Sequence, residues 1–107
     1  MKHFLVNLTL TATRSEIGPW LLFQHDRHFH AGRELELFLC HGPRIPGDGY
    51  LALARSQSLE ILDAFLREDP LVAGGLATLE VLEFEPREFP DNLRGWMQNQ
   101  CSFREVR

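Results

Sequence analysis

The sequence predicts an α+β domain whose elements follow the order strand, helix, strand, strand, helix, strand. Residues 3–12 alternate between apolar and semi-polar side chains, and this period of two is typical of a strand with one buried face. Apolar side chains recur at helical spacing after Pro19, and again between Ser58 and Pro70. Three further apolar runs supply the remaining strands, at residues 36–41, 50–54 and 76–84.

The first strand has two unlike faces. Phe4, Val6 and Leu8 share one face and are expected to pack under the helices. Asn7 and Thr9 fall on the opposite face, which we expect to be partly wet. A pocket on that second face would offer hydrogen bonds to an oxygenated ring or to a small acid.

The first helix is interrupted near its beginning. Thr13 and Glu16 have the spacing of a capping box, and Gly18-Pro19 then ends this short turn and starts a fresh helix. His25 falls roughly 80° from the middle of the predicted buried face, at about 100° per residue, and so lies at the edge of that face. Six side chains are predicted to form the face: Trp20, Leu21, Gln24, His28, Ala31 and Leu35.

Two breaks divide the second half of the chain. Residues 42–49 are dense in Gly and Pro and are predicted to form a loop between two strands. The second helix is predicted to end at Asp69, because the residue before Pro70 is pushed out of the helical region. Residues 87–107 show no sustained hydrophobic periodicity. We therefore predict a domain at residues 1–86 and a C-terminal extension at 87–107 that covers an edge of the domain or crosses to a partner.

Composition narrows the class of protein. The chain has 107 residues, of which 44% are hydrophobic and 24% charged, as is ordinary for one small globular domain. The formal net charge of −4 and the lack of a basic stripe argue against nucleic-acid binding. No apolar run approaches the roughly 18 residues that a membrane span needs. The two cysteines are too few for a disulfide framework, so a cytoplasmic location is expected.

The order of the elements is that of the ferredoxin-like fold, βαββαβ. Right-handed crossovers place both helices on one face of a four-stranded antiparallel sheet. The other face would then carry apolar side chains, among them Leu5 and members of the later strands. Because exposed apolar surface of this extent marks an interface, we expect a homodimer that packs sheet against sheet and encloses a cavity at or near the interface.

Four features occur together in the chain: the opening strand, the helix with His25, the Gly42-Pro43 loop, and the stretch Asp69-Pro70-Leu71-Val72-Ala73-Gly74-Gly75-Leu76. In this combination the chain resembles the YciI-like family over roughly residues 1–86. The resemblance implies a dimeric α+β barrel that acts on a small-molecule ligand. It also implies a His–Asp active site. A few members of the family act as dehydrochlorinases on chlorinated hydroxyquinone-type aromatics. By position, His25 matches the family histidine and Asp69 the aspartate before proline.

A histidine paired with an aspartate suits general acid–base catalysis, because imidazole titrates near neutral pH and the carboxylate fixes its tautomer. We predict a small enzyme without a cofactor, in which His25 and Asp69 catalyse an elimination or isomerisation of a small oxygenated aromatic molecule. Four residues are predicted to line the substrate site: Asn7, Thr9, Gly42 and Pro43. Other interpretations stay open: Asp69 ends a helix, His25 makes a structural hydrogen bond, and the pocket binds a ligand or regulates without chemistry.

The other reactive side chains have less specific interpretations. Histidines crowd the first helix, but no Cys or Glu stands at ligand spacing, so no metal site is predicted. His28 is expected to turn inward. Cys40 is expected to be a buried strand residue that acts as a small hydrophobe rather than as a nucleophile, and Cys101 lies in the tail. Trp96 and Met97 are expected to anchor the tail by packing, and the alternative is an aromatic lid over a partner's pocket.

Overall fold

The computed structural model describes residues 1–98, which form one four-stranded antiparallel sheet and its helices. The strands are β1 (Lys2–Leu10), β2 (Phe38–Pro43), β3 (Gly49–Ser56) and β4 (Ala77–Phe84). The helices are α1 (Arg14–Ile17), α2 (Pro19–Glu34), α3 (Leu59–Arg67), α4 (Pro70–Ala73) and α5 (Arg94–Met97), with a 3-10 turn at Asp91–Leu93. The strand order is β2-β3-β1-β4, and all neighbours are antiparallel. The predicted ferredoxin-like fold is confirmed.

The core lies between one face of the sheet and the helices α2 and α3. Phe4, Val6 and Leu8 of the central strand β1 are buried in it, as their alternation predicts. Phe29 of α2 and Leu62 of α3 belong to the same apolar cluster. Burial of apolar surface, worth about 25 cal/mol per Å², is the main contribution that holds these layers together.

The opposite face of the sheet, which we call the open sheet face, carries the odd-numbered side chains of β1. Leu5, Asn7 and Thr9 lie there, with their partners on β3 and β4 beside them. Four large apolar side chains on this face remain exposed: Leu5, Leu51, Leu82 and Phe84. The semi-polar character predicted for this side of β1 therefore gives way to a more apolar surface on the neighbouring strands.

The helix boundaries follow local signals in the sequence. Thr13 and Glu16 form the predicted capping box, which satisfies backbone amides at the start of α1. Gly18 then adopts a φ of 88°, and Pro19 takes the first position of α2, where its missing N–H removes no hydrogen bond. Ser58 caps α3 by accepting a hydrogen bond from the backbone N–H of Ile61.

The buried face of α2 differs from the prediction. Trp20 and Leu35, which the helical pattern places in the core, are 66% and 64% exposed. The helix instead buries His25, Phe29 and Gly32, which are spaced by four and then three residues. The helix is thus rotated about its axis relative to the prediction, and the cause is steric. A Cβ on residue 32 would lie only 2.8 Å from two ring carbons of Phe38, so the helix and β2 approach closely where the glycine stands.

The Gly42-Pro43 segment is also placed differently from the prediction. Both residues lie in β2, opposite Leu51 and Tyr50 of β3, rather than in the loop. The strand begins at Phe38 and not at residue 36, because Glu36 has a φ of 62° and turns the chain between α2 and β2. The strand is therefore shifted by two residues towards the C-terminus.

The first part of the tail packs on the domain itself. The Trp96 ring meets the His3 ring edge to face with centroids 5.3 Å apart, and the Arg55 guanidinium carbon lies 5.1 Å from the Trp96 ring centroid. Arg55 also donates a hydrogen bond to the Trp96 carbonyl at 3.0 Å. Trp96 thus packs as the expected anchor, while the boundary at residue 86 stays a prediction and Cys101 lies outside the described residues. In residues 1–98 no helix is long and apolar enough to cross a membrane.

Candidate functional site

The side chains of His25 and Asp69 meet inside the protein. The Nδ1 atom of His25 lies 2.7 Å from Oδ1 of Asp69, and the two residues are 1% and 0% exposed. The second carboxylate oxygen of Asp69 accepts a hydrogen bond from the Leu71 backbone N–H at 3.0 Å. An ionised carboxylate can only accept hydrogen bonds, so the proton shared with the imidazole belongs to Nδ1 and Nε2 is left as the basic nitrogen.

Asp69 is held by the junction of two helices. Its backbone N–H donates to the Leu66 carbonyl at the end of α3, and its carbonyl accepts from Ala73 N–H in α4. Asp69 is the N-cap of α4, with Pro70 in the first helical position. The second helix ends two residues earlier than predicted, since Arg67 is the last residue of α3. The same corner also aims its carboxylate at α2.

His25 packs against two aromatic rings. The centroid of its ring lies 4.4 Å from that of Phe29 and 4.1 Å from that of Tyr50. The hydroxyl of Tyr50 accepts a hydrogen bond from Nη1 of Arg14, and the Arg14 guanidinium carbon lies 4.7 Å from the Tyr50 ring centroid. Tyr50 therefore packs on His25, and Arg14 of α1 packs on Tyr50.

Sequence reasoning did not single out Arg14 or Tyr50. Arg14 lies inside the capping box of α1, and Tyr50 opens β3, so each has a local role that explains it. The one feature of the sequence that could have drawn attention to Tyr50 is that it is the only tyrosine of the chain. Their approach to His25 depends on the packing of α1 against the sheet, which no spacing in the sequence reports.

The other histidines of this region have separate environments. The Nε2 atom of His28 lies 2.7 Å from the Phe65 carbonyl, and its ring stacks on that of Phe65. His28 is half-buried by these contacts, as expected of a residue turned towards α3. Partial burial lowers the pKa of His41, nearby His25 lowers it further, and the carboxylate of Asp26 opposes both effects. His41 thus favours its neutral form beside the Phe29 ring.

The four predicted substrate-lining residues do not join the His25–Asp69 pair. Asn7 and Thr9 lie on the open sheet face, whereas His25 and Asp69 pack against the helix-covered face. Gly42 and Pro43 border a groove of about 260 Å³, together with Leu5, Cys40, Leu51 and Leu53 among others. The thickness of the sheet therefore separates two candidate sites, one beside His25 and one above Asn7.

Two further predictions concern metal binding and cysteine. Across residues 1–98 no group of three or more His, Cys, Asp and Glu side chains is arranged to hold a metal ion. Cys40 is exposed, so the prediction of a buried cysteine is wrong. The physical reason is its register: Cys40 pairs with Leu53, and both face the open side of the sheet, away from the helices.

Comparisons with known proteins support the fold. No protein-family model matches the chain, and no curated protein sequence matches it significantly. Among solved structures, the chain is similar to 5-chloro-2-hydroxyhydroquinone dehydrochlorinase from Burkholderia phenoliruptrix AC1100, in complex with 2,5-dihydroxybenzoquinone. The TM-score is 0.59 at 15% identity, and the match covers 84% of this chain and 97% of that chain. The likeness is one of fold alone.

Proposed function

We propose that the chain is a small enzyme of YciI-like type that works without a cofactor in the reducing cytoplasm. In this proposal His25 is the general base, and Asp69 orients it and stabilises its protonated form. The substrate is a small oxygenated aromatic molecule, and the reaction is an elimination or isomerisation. The observation that carries the proposal is the 2.7 Å contact between His25 Nδ1 and Asp69 Oδ1.

The geometry of the pair suits proton transfer. Asp69 is held by two backbone hydrogen bonds and by the Leu71 N–H, so its carboxylate needs no reorganisation when His25 becomes charged. A histidine held in this way contributes about 10²–10⁴-fold to a rate by general acid–base catalysis. The same fold carries a dehydrochlorinase in the structural neighbour, which is consistent with this class of chemistry.

For a chlorinated hydroquinone, the proposed step balances without an oxidant. The ring first takes its keto form, in which the proton of one hydroxyl has moved to the carbon that bears chlorine and that hydroxyl has become a carbonyl. His25 Nε2 then removes the proton of a second ring hydroxyl. The electrons of that O–H bond form a second carbonyl, and the ring double bond shifts towards the C–Cl carbon and expels chloride with its bonding pair. The protonated imidazole then returns its proton to water. The net change is the loss of HCl, so the step needs no oxidant or reductant.

Access to His25 must involve the side chains that cover it. Because His25 is 1% exposed, substrate can reach Nε2 only if a neighbouring group moves. Arg14 and Tyr50 are the candidates, since Arg14 lies on α1 and Gly18, at a φ of 88°, joins α1 to α2. A short helix joined through a glycine is suited to such a displacement.

The test is turnover of chlorinated hydroquinones, beginning with 5-chloro-2-hydroxyhydroquinone and followed by chloride release. We expect Asp69→Asn to reduce kcat/KM by about 10²–10⁴-fold, in line with the loss of an oriented base. Asp63→Asn is the matched control, because Asp63 is an exposed aspartate paired with Arg67 on α3. No turnover by the wild type, or equal rates for both variants, would contradict the proposal.

We further propose that the working form is a homodimer formed through the open sheet face. Leu5, Leu51, Leu82 and Phe84 provide exposed apolar surface there, and water would be excluded from it by a second sheet. Sedimentation at micromolar concentration should therefore give a dimer, and Leu82→Glu should convert it to a monomer. A monomeric wild type would contradict this arrangement.

A second candidate function is a ligand-binding or regulatory module without catalysis. The observation that favours it is the complete burial of His25 and Asp69, together with an apolar groove on the other side of the sheet. In this case Asp69→Asn would change the free energy of unfolding but leave ligand affinity unchanged. Substitutions along the groove would weaken ligand binding instead.

A further inference from the structure

The side chain of Arg44 crosses the open sheet face at one end. Arg44 follows β2 directly, yet its Nη1 donates hydrogen bonds to Oδ1 of Asn7 at 2.7 Å and to Oγ1 of Thr9 at 3.1 Å on β1. Since β3 lies between β2 and β1, the guanidinium passes over β3 to make these contacts. The side chain is thus fixed above the sheet rather than extended into solvent.

Two glycines make room for this guanidinium. A Cβ on Gly49 would lie 2.8 Å from the Arg44 Cζ atom, so the glycine at the start of β3 allows the side chain to cross. A Cβ on Gly47 would lie 3.7 Å from both Nε and Nη2. The edge of the guanidinium formed by Nε and Nη2 therefore borders a residue that has no side chain to fill the space.

The charge of Arg44 is not neutralised by a carboxylate. In the part of the chain that the structure describes, no Asp or Glu lies within ion-pair distance of Arg44. Glu80 is bonded to Asn7 Nδ2 at 3.4 Å instead. Nη2 makes only a 3.5 Å contact to the Asp48 carbonyl, and Nε–H has no hydrogen-bond partner within residues 1–98. This half-buried guanidinium keeps a pair of N–H groups free for a planar anion.

Apolar side chains lie next to the Arg44 guanidinium on the open sheet face. Leu51 lies opposite Asn7 on the open sheet face, and Leu51 also borders the groove of about 260 Å³ with Leu5 and Leu53. Leu5 and Leu53 form the next pair along this face, and alternate residues on one strand face stand about 7 Å apart, so the groove extends from the Asn7–Leu51 pair over roughly the length of an aromatic acid. The ring of such an acid would lie on the apolar groove, and its anionic group would lie at the Arg44 guanidinium.

We propose that Arg44 is the anion-recognition residue of a binding site on the open sheet face. The ligand class is a small molecule with an aromatic or other apolar body and one carboxylate or phenolate group. The apolar body lies on Leu5, Leu51 and Leu53, and the anion binds the free edge of the guanidinium. In the proposed homodimer the second sheet closes over this groove, so the ligand lies in the cavity enclosed between the two sheets. Asn7 and Thr9 hold the other edge in position. This site does not depend on the His25–Asp69 chemistry.

The test uses benzoate as the anionic probe and benzamide as its neutral isostere, with the full chain followed by NMR titration. In the wild type, benzoate should shift the backbone amides of residues 5, 7, 44 and 51 and bind at least tenfold more tightly than benzamide. Arg44→Gln should lose that tenfold preference. Arg44→Lys keeps the charge but not the paired N–H groups, so an intermediate affinity is expected.

The control is Arg87→Gln, because Arg87 is an exposed arginine whose partner is Glu85 in the tail. It should bind benzoate as the wild type does. Three results would overturn the proposal: no benzoate binding by the wild type, equal affinities for benzoate and benzamide, or equal losses in Arg44→Gln and Arg87→Gln. Chemical-shift changes confined to other surfaces of the wild type would overturn it without any variant.

Discussion

His25 Nδ1 and Asp69 Oδ1 lie 2.7 Å apart, although 44 residues separate them in the chain. One residue lies in the middle of α2 and the other caps α4, so their contact links the two helical segments over the sheet. Both are buried, and the carboxylate is bonded at both oxygens. The pair therefore contributes to the stability of the fold as well as to the proposed chemistry, and variants must separate the two effects.

The first prediction concerns stability at Asp69. Asp69→Ala leaves the Leu71 N–H and the His25 Nδ1–H without acceptors, at about 1–3 kcal/mol for each buried group. Asp69→Asn keeps an oxygen for Leu71, and asparagine is as good an N-cap as aspartate, so a loss of about 1 kcal/mol or less is expected. Urea denaturation measures both free energies of unfolding. Equal losses for the two variants would show that the carboxamide does not retain the cap.

The second prediction concerns the contact between α2 and β2. Gly32→Ala places a Cβ 2.8 Å from two carbons of the fully buried Phe38 ring and 3.0 Å from a Phe65 carbon. The Phe38 ring has no exposed surface to move into, so a loss of about 1–3 kcal/mol in the free energy of unfolding is expected. Gly95→Ala is the matched control, since no atom lies within 4 Å of its added Cβ. A Gly32→Ala variant as stable as this control would contradict the packing described for Phe38.

Much of the fold follows from local patterns in the sequence. The alternation in β1, the capping box at Thr13 and the proline at position 70 each act through neighbouring residues. The first two predictions are confirmed, and the helix before Pro70 ends two residues earlier than predicted. The buried face of α2 is different, because its apolar residues do not form one clear stripe. The rotation of α2 about its axis depends on the close contact of Gly32 with the Phe38 ring. Because this contact is between a helix and a strand, no local pattern in the sequence reports it.

The candidate site also has parts that the sequence predicts and parts that only the packing of the elements determines. The pairing of His25 with Asp69 rests on a resemblance that covers several short segments, and the two side chains do meet. Arg44, by contrast, reaches Asn7 by crossing a strand that comes later in the sequence, and only the sheet order brings these residues together. For the same reason, the register of β2 exposes Cys40, which a run of apolar letters predicts to be buried.

The third prediction concerns pH. Burial lowers the pKa of His3 below its ordinary value of 6.5; a backbone hydrogen bond with Trp96 opposes this shift, and the N-terminal ammonium and the Arg55 guanidinium add to it. Below pH 6.5 the unfolded chain therefore binds a proton before the folded chain does. The free energy of unfolding should fall as pH falls from 6.5 to the lowered pKa of His3.

Urea midpoints at about pH 7.5 and about pH 5 measure this loss. His3→Gln should reduce it but not abolish it, because the pKa of His41 is lowered in the same direction. His30→Gln provides a control at an exposed histidine of α2. If His3→Gln shows the same dependence on pH as the wild type, burial of His3 under Trp96 is not the cause.

The fourth prediction uses the two tryptophans of the chain. Trp20 is exposed on α2, whereas Trp96 packs on His3 and Arg55 and its indole N–H is buried. Acrylamide should quench the fluorescence of a Trp96→Phe variant, which retains Trp20, more strongly than that of a Trp20→Phe variant. The reverse order would contradict the contact of the tail with the sheet.

The central claim is that Asp69 holds His25 with its proton on Nδ1 and leaves Nε2 as the base. Nitrogen-15 NMR of the labelled imidazole tests it directly, because protonated and unprotonated ring nitrogens have distinct shifts. In the wild type near pH 8, Nδ1 should carry the proton. In Asp69→Asn, the carboxamide oxygen caps Leu71 and its NH₂ faces His25, so the proton should move to Nε2. The same tautomer in both proteins, or Nε2–H in the wild type, would contradict the account.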